Sequence, residues 1–123
     1  MKIFGHPWIE SELFYPVNTI ADISETPSNS LLEVASLSSK SIALLHHCQE
    51  ENLSYAVHVT SIKDAIYLNS LMATFILCEK ELAIALMPIA QNYLFDTQII
   101  AIAKEEDIEP LARAGVDGIK LTS

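Results

Sequence analysis

A chain of 123 residues, half of them hydrophobic and 19% charged, has the size and apolar content of one domain with one real core. Sixteen acidic residues against seven basic ones give a formal charge of -9, which repels phosphate backbones and anionic headgroups and so excludes nucleic acid and membrane surfaces as expected partners. The longest uncharged apolar run, Leu82 to Ala90, is far short of the roughly 18 to 20 residues that span a bilayer.

In chain order, Lys2 to Trp8 reads as a first strand, and its interruption by Gly5, His6 and Pro7 leaves no apolar segment long enough for a signal peptide. The expected location is therefore cytoplasmic, with Cys48 and Cys78 reduced and buried. Leu13 to Ile23 is ambiguous; Tyr15 to Ile20 within it can be read as a second strand. Thr26 to Asn29 is a turn. Ser30 and Glu33 have the spacing of a capping box and open a helical pattern, with Leu31, Val34, Ala35, Ser38, Ile42 and Leu45 on one face, that runs to about Glu51.

From residue 53 onward, short β-rich runs alternate with helical ones. Strands are predicted at Ser54 to Val59, Thr74 to Cys78, Gln98 to Ala103 and Gly118 to Leu121, with helices near 62–71, 80–94 and 107–114. Ser61 and Asp64 have capping spacing. Glu105, Glu106 and Asp107 place negative charge at the positive end of the last helix, and Gly115 can stop it in a left-handed conformation. The alternation predicts a single α/β domain over residues 1–123, three-layered and Rossmann- or flavodoxin-like, with a mostly parallel sheet of about five strands between two helix layers.

Tyr55 to Thr60, Ala73 to Glu79, the apolar helix Leu82 to Phe95, Ile99 to Ala103 and the glycine-bearing turn Leu111 to Asp117 together resemble the second half of the nucleotide-binding domains that regulate potassium transport, the TrkA-N or RCK group. That resemblance implies a Rossmann ancestry. The family's Gly-x-Gly-x-x-Gly phosphate turn has no counterpart, since Gly5 is followed by His6, Pro7 and Trp8, and Gly115 and Gly118 follow a helix end. The same glycine count excludes a Walker A loop, and no cofactor is expected. Ile99 to Ser123 also resembles the end of the response-regulator receiver fold. Cys78 or Glu79 stands where a receiver's phosphorylated aspartate would be, which implies a pseudo-receiver at best.

In open parallel sheets ligands bind beyond the carboxyl ends of the strands, which brings together His6, Thr60, Ser61, Glu79, Lys80 and Lys104 as candidate ligand-binding residues. Thr60 and Ser61 offer hydroxyls, Lys80 and Lys104 positive charge, and His6 an imidazole able to exchange a proton near neutrality. His58, alternating with Ala56 and Thr60, suits a buried hydrogen-bonded imidazole or one pointing toward a site at the strand end. His46, His47, Cys48, Glu50 and Glu51 have only helical i, i+4 pairings, too few converging ligands for a metal, and none is expected. Cys78 beside Lys80 has the look of a strand-end nucleophile but no identifiable base.

Ile84, Met87 and Leu94 fall off the core stripe expected from Leu82, Leu86, Ile89 and Tyr93, and are predicted to make an intermolecular contact, in a homodimer. With no catalytic signature visible, the sequence favours a non-enzymatic module acting through self-association or a protein partner. The alternative is a protein or enzyme for a small metabolite, using the strand-end site.

Overall fold

The computed structural model describes residues 1–122. Seven strands form one sheet: β1 (Lys2–Phe4), β2 (Phe14–Pro16), β3 (Leu31–Val34), β4 (Tyr55–His58), β5 (Phe75–Glu79), β6 (Gln98–Ala103) and β7 (Gly118–Leu121). The helices are α1 (Ile20–Ile23), α2 (Ile42–Glu50), α3 (Ile62–Ser70), α4 (Lys80–Asn92) and α5 (Ile108–Arg113), the last entered through a 3-10 turn at Glu105–Asp107. Among the described residues no helix is long and apolar enough to cross a membrane.

The parallel α/β architecture expected from the alternation is present, with seven strands rather than about five. Every pairing is parallel and the order is β1-β7-β6-β5-β4-β3-β2. From β2 to β7 each strand is added on the same side of its predecessor. Right-handed crossovers taken always in one direction deposit their helices on one face of the sheet. The packing agrees. The larger core cluster joins Leu32, Val34, Tyr55, Val57, Ile76, Cys78, Ile99 and Ala101 to Leu44, Leu45, Cys48, Leu68, Leu86 and Leu111 of the helices. A second cluster, Phe4, Leu31, Ala56, Phe75, Leu77 and Ile100 with Phe14 and Ile102 against it, contains strand residues alone. That face has no helix layer. It curls upon itself instead, until the rings of Phe4 and Phe14 on the two edge strands meet. The expected helices on both faces give way to a singly wound, nearly barrel-like sheet with its helices outside.

Local chemistry explains where the elements begin and end. Ser61 caps α3 by accepting the Asp64 amide, as its spacing suggests, and Gly115 stops α5 at φ +79°. The helix expected from Ser30 to Glu51 is not formed as such. Its first part is β3, where Leu31 pairs with Phe14 and Leu32 with Tyr55, and α2 starts at Ile42 after the serine-rich loop 35–41. There the Ser41 hydroxyl accepts the Ser38 amide and donates to the Ser36 carbonyl, which holds the chain in a turn. The first strand stops at Phe4 rather than Trp8, because Gly5 turns the chain at φ +87°. The strand-like segment at 15–20 is reduced to Phe14–Pro16. In α4 the buried stripe is Ala83, Leu86, Met87 and Ala90. Met87, expected at an intermolecular contact, is therefore 5% exposed within the chain's own core, while Ile84 and Leu94 are exposed.

Candidate functional site in the mouth of the curled sheet

Side chains alternate along a strand, so residues two beyond an inward one also point inward. Glu33 follows Leu31 in β3, His58 follows Ala56 in β4, and Lys120 follows Gly118 in β7. These three polar groups lie one step further toward the carboxyl ends than the apolar plug. His58 Nε2 stands 2.5 Å from Glu33 Oε2, and Lys120 Nζ stands 3.4 Å from Glu33 Oε1 and 3.5 Å from Oε2. Three strands separate β3 from β7 in the sheet order except for the curl, which brings Lys120 across to Glu33 and lays its ammonium over the Phe14 ring at 4.7 Å.

The Glu33 side chain is only 14% exposed. A half-buried carboxylate costs stability unless its lone pairs are engaged, and here one oxygen takes the imidazole and the pair together take the ammonium. As a carboxylate Glu33 can only accept, so the proton it shares with the ring is carried on Nε2 and Nδ1 is the nitrogen left over. A histidine oriented by a carboxylate in this way can take a proton at its free nitrogen while the carboxylate stabilises the resulting imidazolium. A cleft of about 290 Å³, lined by Pro16, Val17, Asn18, Glu33, Ala35 and His58, opens beside this pair.

The residues expected at the site lie around the same rim but are tied into the frame. His6 Nε2 stands 3.2 Å from Glu105 Oε1, its Nδ1 accepts the Trp8 amide at 3.1 Å, and its ring meets that of Trp8 edge-on. Both of its nitrogens are thereby engaged. Lys80 donates to Asp107 Oδ1 at 3.0 Å, a bond that raises the lysine above its ordinary value. The Lys104 backbone N–H donates to Asp107 Oδ2, which lowers the aspartate, with the Lys80 hydrogen bond adding to the effect. Lys104 itself, Thr60 and Glu79 are exposed, and the Ser61 hydroxyl is occupied as a cap. The rim is thus held by paired side chains, while the convergent cluster sits inside it.

Cys78 is buried on the helix-facing side of β5. Burial first, and Glu79 second, push its thiol up to about 12, which opposes a nucleophilic role. Among the described residues no group of three or more His, Cys, Asp or Glu side chains is placed to hold a metal ion.

Glu33 and Lys120 were not readable as site residues. Glu33 has capping-box spacing from Ser30, and Lys120 is a lone cation in a terminal strand. The one available signal was the alternation of His58 with Ala56, which points an imidazole to the same side as a strand's small residue near the strand end. No protein-family model matches this chain, and no curated protein matches it either.

Proposed function

We propose that the chain binds a small polar metabolite in the mouth of the curled sheet, with His58 as its acid-base group and Glu33 and Lys120 holding that group in place. The observation that carries this reading is the convergence of Glu33, His58 and Lys120 from three strands onto one another beside an open cleft. Buried ion pairs are weak sources of stability, and hydrophobic replacements of similar volume serve a core equally well or better. The carboxyl ends of parallel strands are also where such sheets place their ligand sites. A thermal-shift screen of small metabolites, followed by isothermal titration on the wild type and His58→Ala, tests it. Hits weakened at least about tenfold by His58→Ala support the reading. A screen without hits, or hits indifferent to His58, defeats it.

Association through a protein surface is a second reading. It is favoured by Trp8, 89% exposed, and Leu94, 83% exposed, with Ile84 exposed on the outer side of α4. Sedimentation velocity across a concentration series, with Ile84→Glu and Leu94→Glu, separates a dimer from a monomer.

A further inference from the structure

Resting on the mouth-site reading, we infer that the occupant is an uncharged small molecule that donates an N–H or O–H to His58 Nδ1, and that the site discriminates against phosphate- and carboxylate-bearing compounds. The argument begins with charge balance. Glu33 contributes one negative charge and Lys120 one positive charge, at 3.4 Å. The pair is balanced with His58 neutral. With Nε2 bonded to Glu33, Nδ1 is an acceptor with no hydrogen-bond partner among the described residues.

The remaining lining offers no free cation. Lys120 is committed to Glu33 and to the Phe14 ring, and Pro16, Val17 and Ala35 present apolar walls. Asn18 supplies an exposed amide at the rim, a donor and an acceptor together. Beyond it the Asp22 carboxylate takes the backbone amides of Asn18 and Thr19, so those donors are also withdrawn from any anionic ligand. An adjoining hollow of about 260 Å³ includes the exposed Lys40, but the Ser38 and Ser41 hydroxyls there are bonded to their own loop. Of the described residues lining the cleft itself, Glu33 carries the one fixed charge, and it is negative, so an anion there faces repulsion. At about 290 Å³ the cleft lies at the small end of ligand sites, which span roughly 300–1,000 Å³. A compact amide, lactam or heterocycle with a ring N–H matches this lining: the donor on Nδ1, the body against Pro16 and Val17, a carbonyl toward Asn18.

The test uses the full chain labelled with nitrogen-15 histidine, followed by long-range proton-nitrogen correlation spectra. Uracil and pyrrolidinone are titrated as uncharged donors, and inorganic phosphate and uridine monophosphate as anions. The His58 signals are assigned by their loss in His58→Gln, or by elimination using His6→Gln, His46→Gln and His47→Gln if His58→Gln does not fold. The expected result is a free spectrum with Nδ1 unprotonated, moved saturably by at least one uncharged donor. Uridine monophosphate should bind at least about tenfold more weakly than uracil, and Lys40→Ala should leave the uracil titration unchanged.

Tighter binding of phosphate or uridine monophosphate with movement of His58 would overturn the inference while leaving the mouth site standing. A proton on Nδ1 in the free protein, or His58 signals unmoved by both uncharged donors, would also overturn it. The mouth reading itself falls only when the wider screen yields no ligand that depends on His58.

Discussion

Phe4 and Phe14 lie on the two edge strands, at opposite ends of the strand order, and their rings meet edge to face with centroids 5.0 Å apart. This contact closes the inner face that lacks helices. Phe4→Ala should cost about 3 kcal/mol, the order expected for a buried phenylalanine, and the pair should show a coupling of about 1 kcal/mol in a double-mutant cycle with Phe14→Ala. Urea unfolding of the four proteins measures it; strictly additive losses would mean that the edges stand apart in solution.

Gly118 aligns with Lys2 in the pairing of β1 with β7. A Cβ there would lie 2.7 Å from Ile100 Cδ1 and 2.8 Å from the Lys2 carbonyl oxygen, and the second of these is backbone that cannot swing away. Gly118→Ala is expected to lose roughly 1–3 kcal/mol through overpacking. Hydrogen exchange should show the loss concentrated at the β1–β7 pairing, where Lys2 aligns with Gly118.

Lys120→Met leaves the Glu33 carboxylate with His58 alone. A loss of about 2 kcal/mol is expected, less than for a fully enclosed pair because both groups keep some contact with water. Glu33→Leu combined with Lys120→Met should be more stable than either single variant. Equilibrium unfolding of the three variants distinguishes this from independent contributions, in which the double variant would be the least stable.

Asp22 and Asp107 both have carboxyls held below their ordinary value of 3.8, Asp22 by the amides of Asn18 and Thr19, Asp107 by the Lys104 amide and then by Lys80. A lowered folded value means the folded state binds the proton less readily than the unfolded chain. The stabilisation is complete above 3.8 and drains away as pH falls through 3.8 toward the folded values. Lys80, raised above 10.5 chiefly by its hydrogen bond to Asp107, has the opposite sign: its contribution is full below 10.5 and disappears as pH rises past the folded value. Urea midpoints for Asp107→Asn should therefore depend less on pH than wild type between pH ~5 and ~3.

Burial raises both thiols, Cys78 to about 12. Neither Cys48 nor Cys78 should react appreciably with a chromogenic disulfide at pH ~8 in the native protein, and both should react at once in denaturant. Fast labelling of Cys78 without denaturant would revive it as a nucleophile.

The elements after residue 53 were legible because period and boundary chemistry agree there: Gln98–Ala103 and Gly118–Leu121 fall at the expected residues, and Ser61 caps where its spacing says. Leu31 to Val34 was not, since Ser30 and Glu33 imitate a capping box while Leu31, Leu32 and Val34 are taken up by neighbours on both sides of β3. Tertiary pairing overrides local propensity at such a place. Strand order leaves no local trace, so a sheet wound in one direction and one wound in two directions look alike in sequence. The cluster was hidden for the same reason, because Glu33 and Lys120 become neighbours only after the sheet curls. Thr60, Ser61 and Lys80 were foreseen at the strand ends, and the fold employs the latter two as fastenings.

The pairing of β1 with β7 bears on the order of assembly. Lys2 aligns with Gly118 and Phe4 with Lys120, so β1 finds its hydrogen-bonding partner only in β7, with five strands made between them. From β3 onward each strand can dock on its predecessor as the chain lengthens, whereas β1 must wait through the making of five others, with Phe4 still in water. Closing so long a loop is slow, and an unpaired edge that persists is open to the wrong neighbour. The aromatic seam at Phe4 and Phe14 is then the final contact made, a latch that drops once the winding is complete.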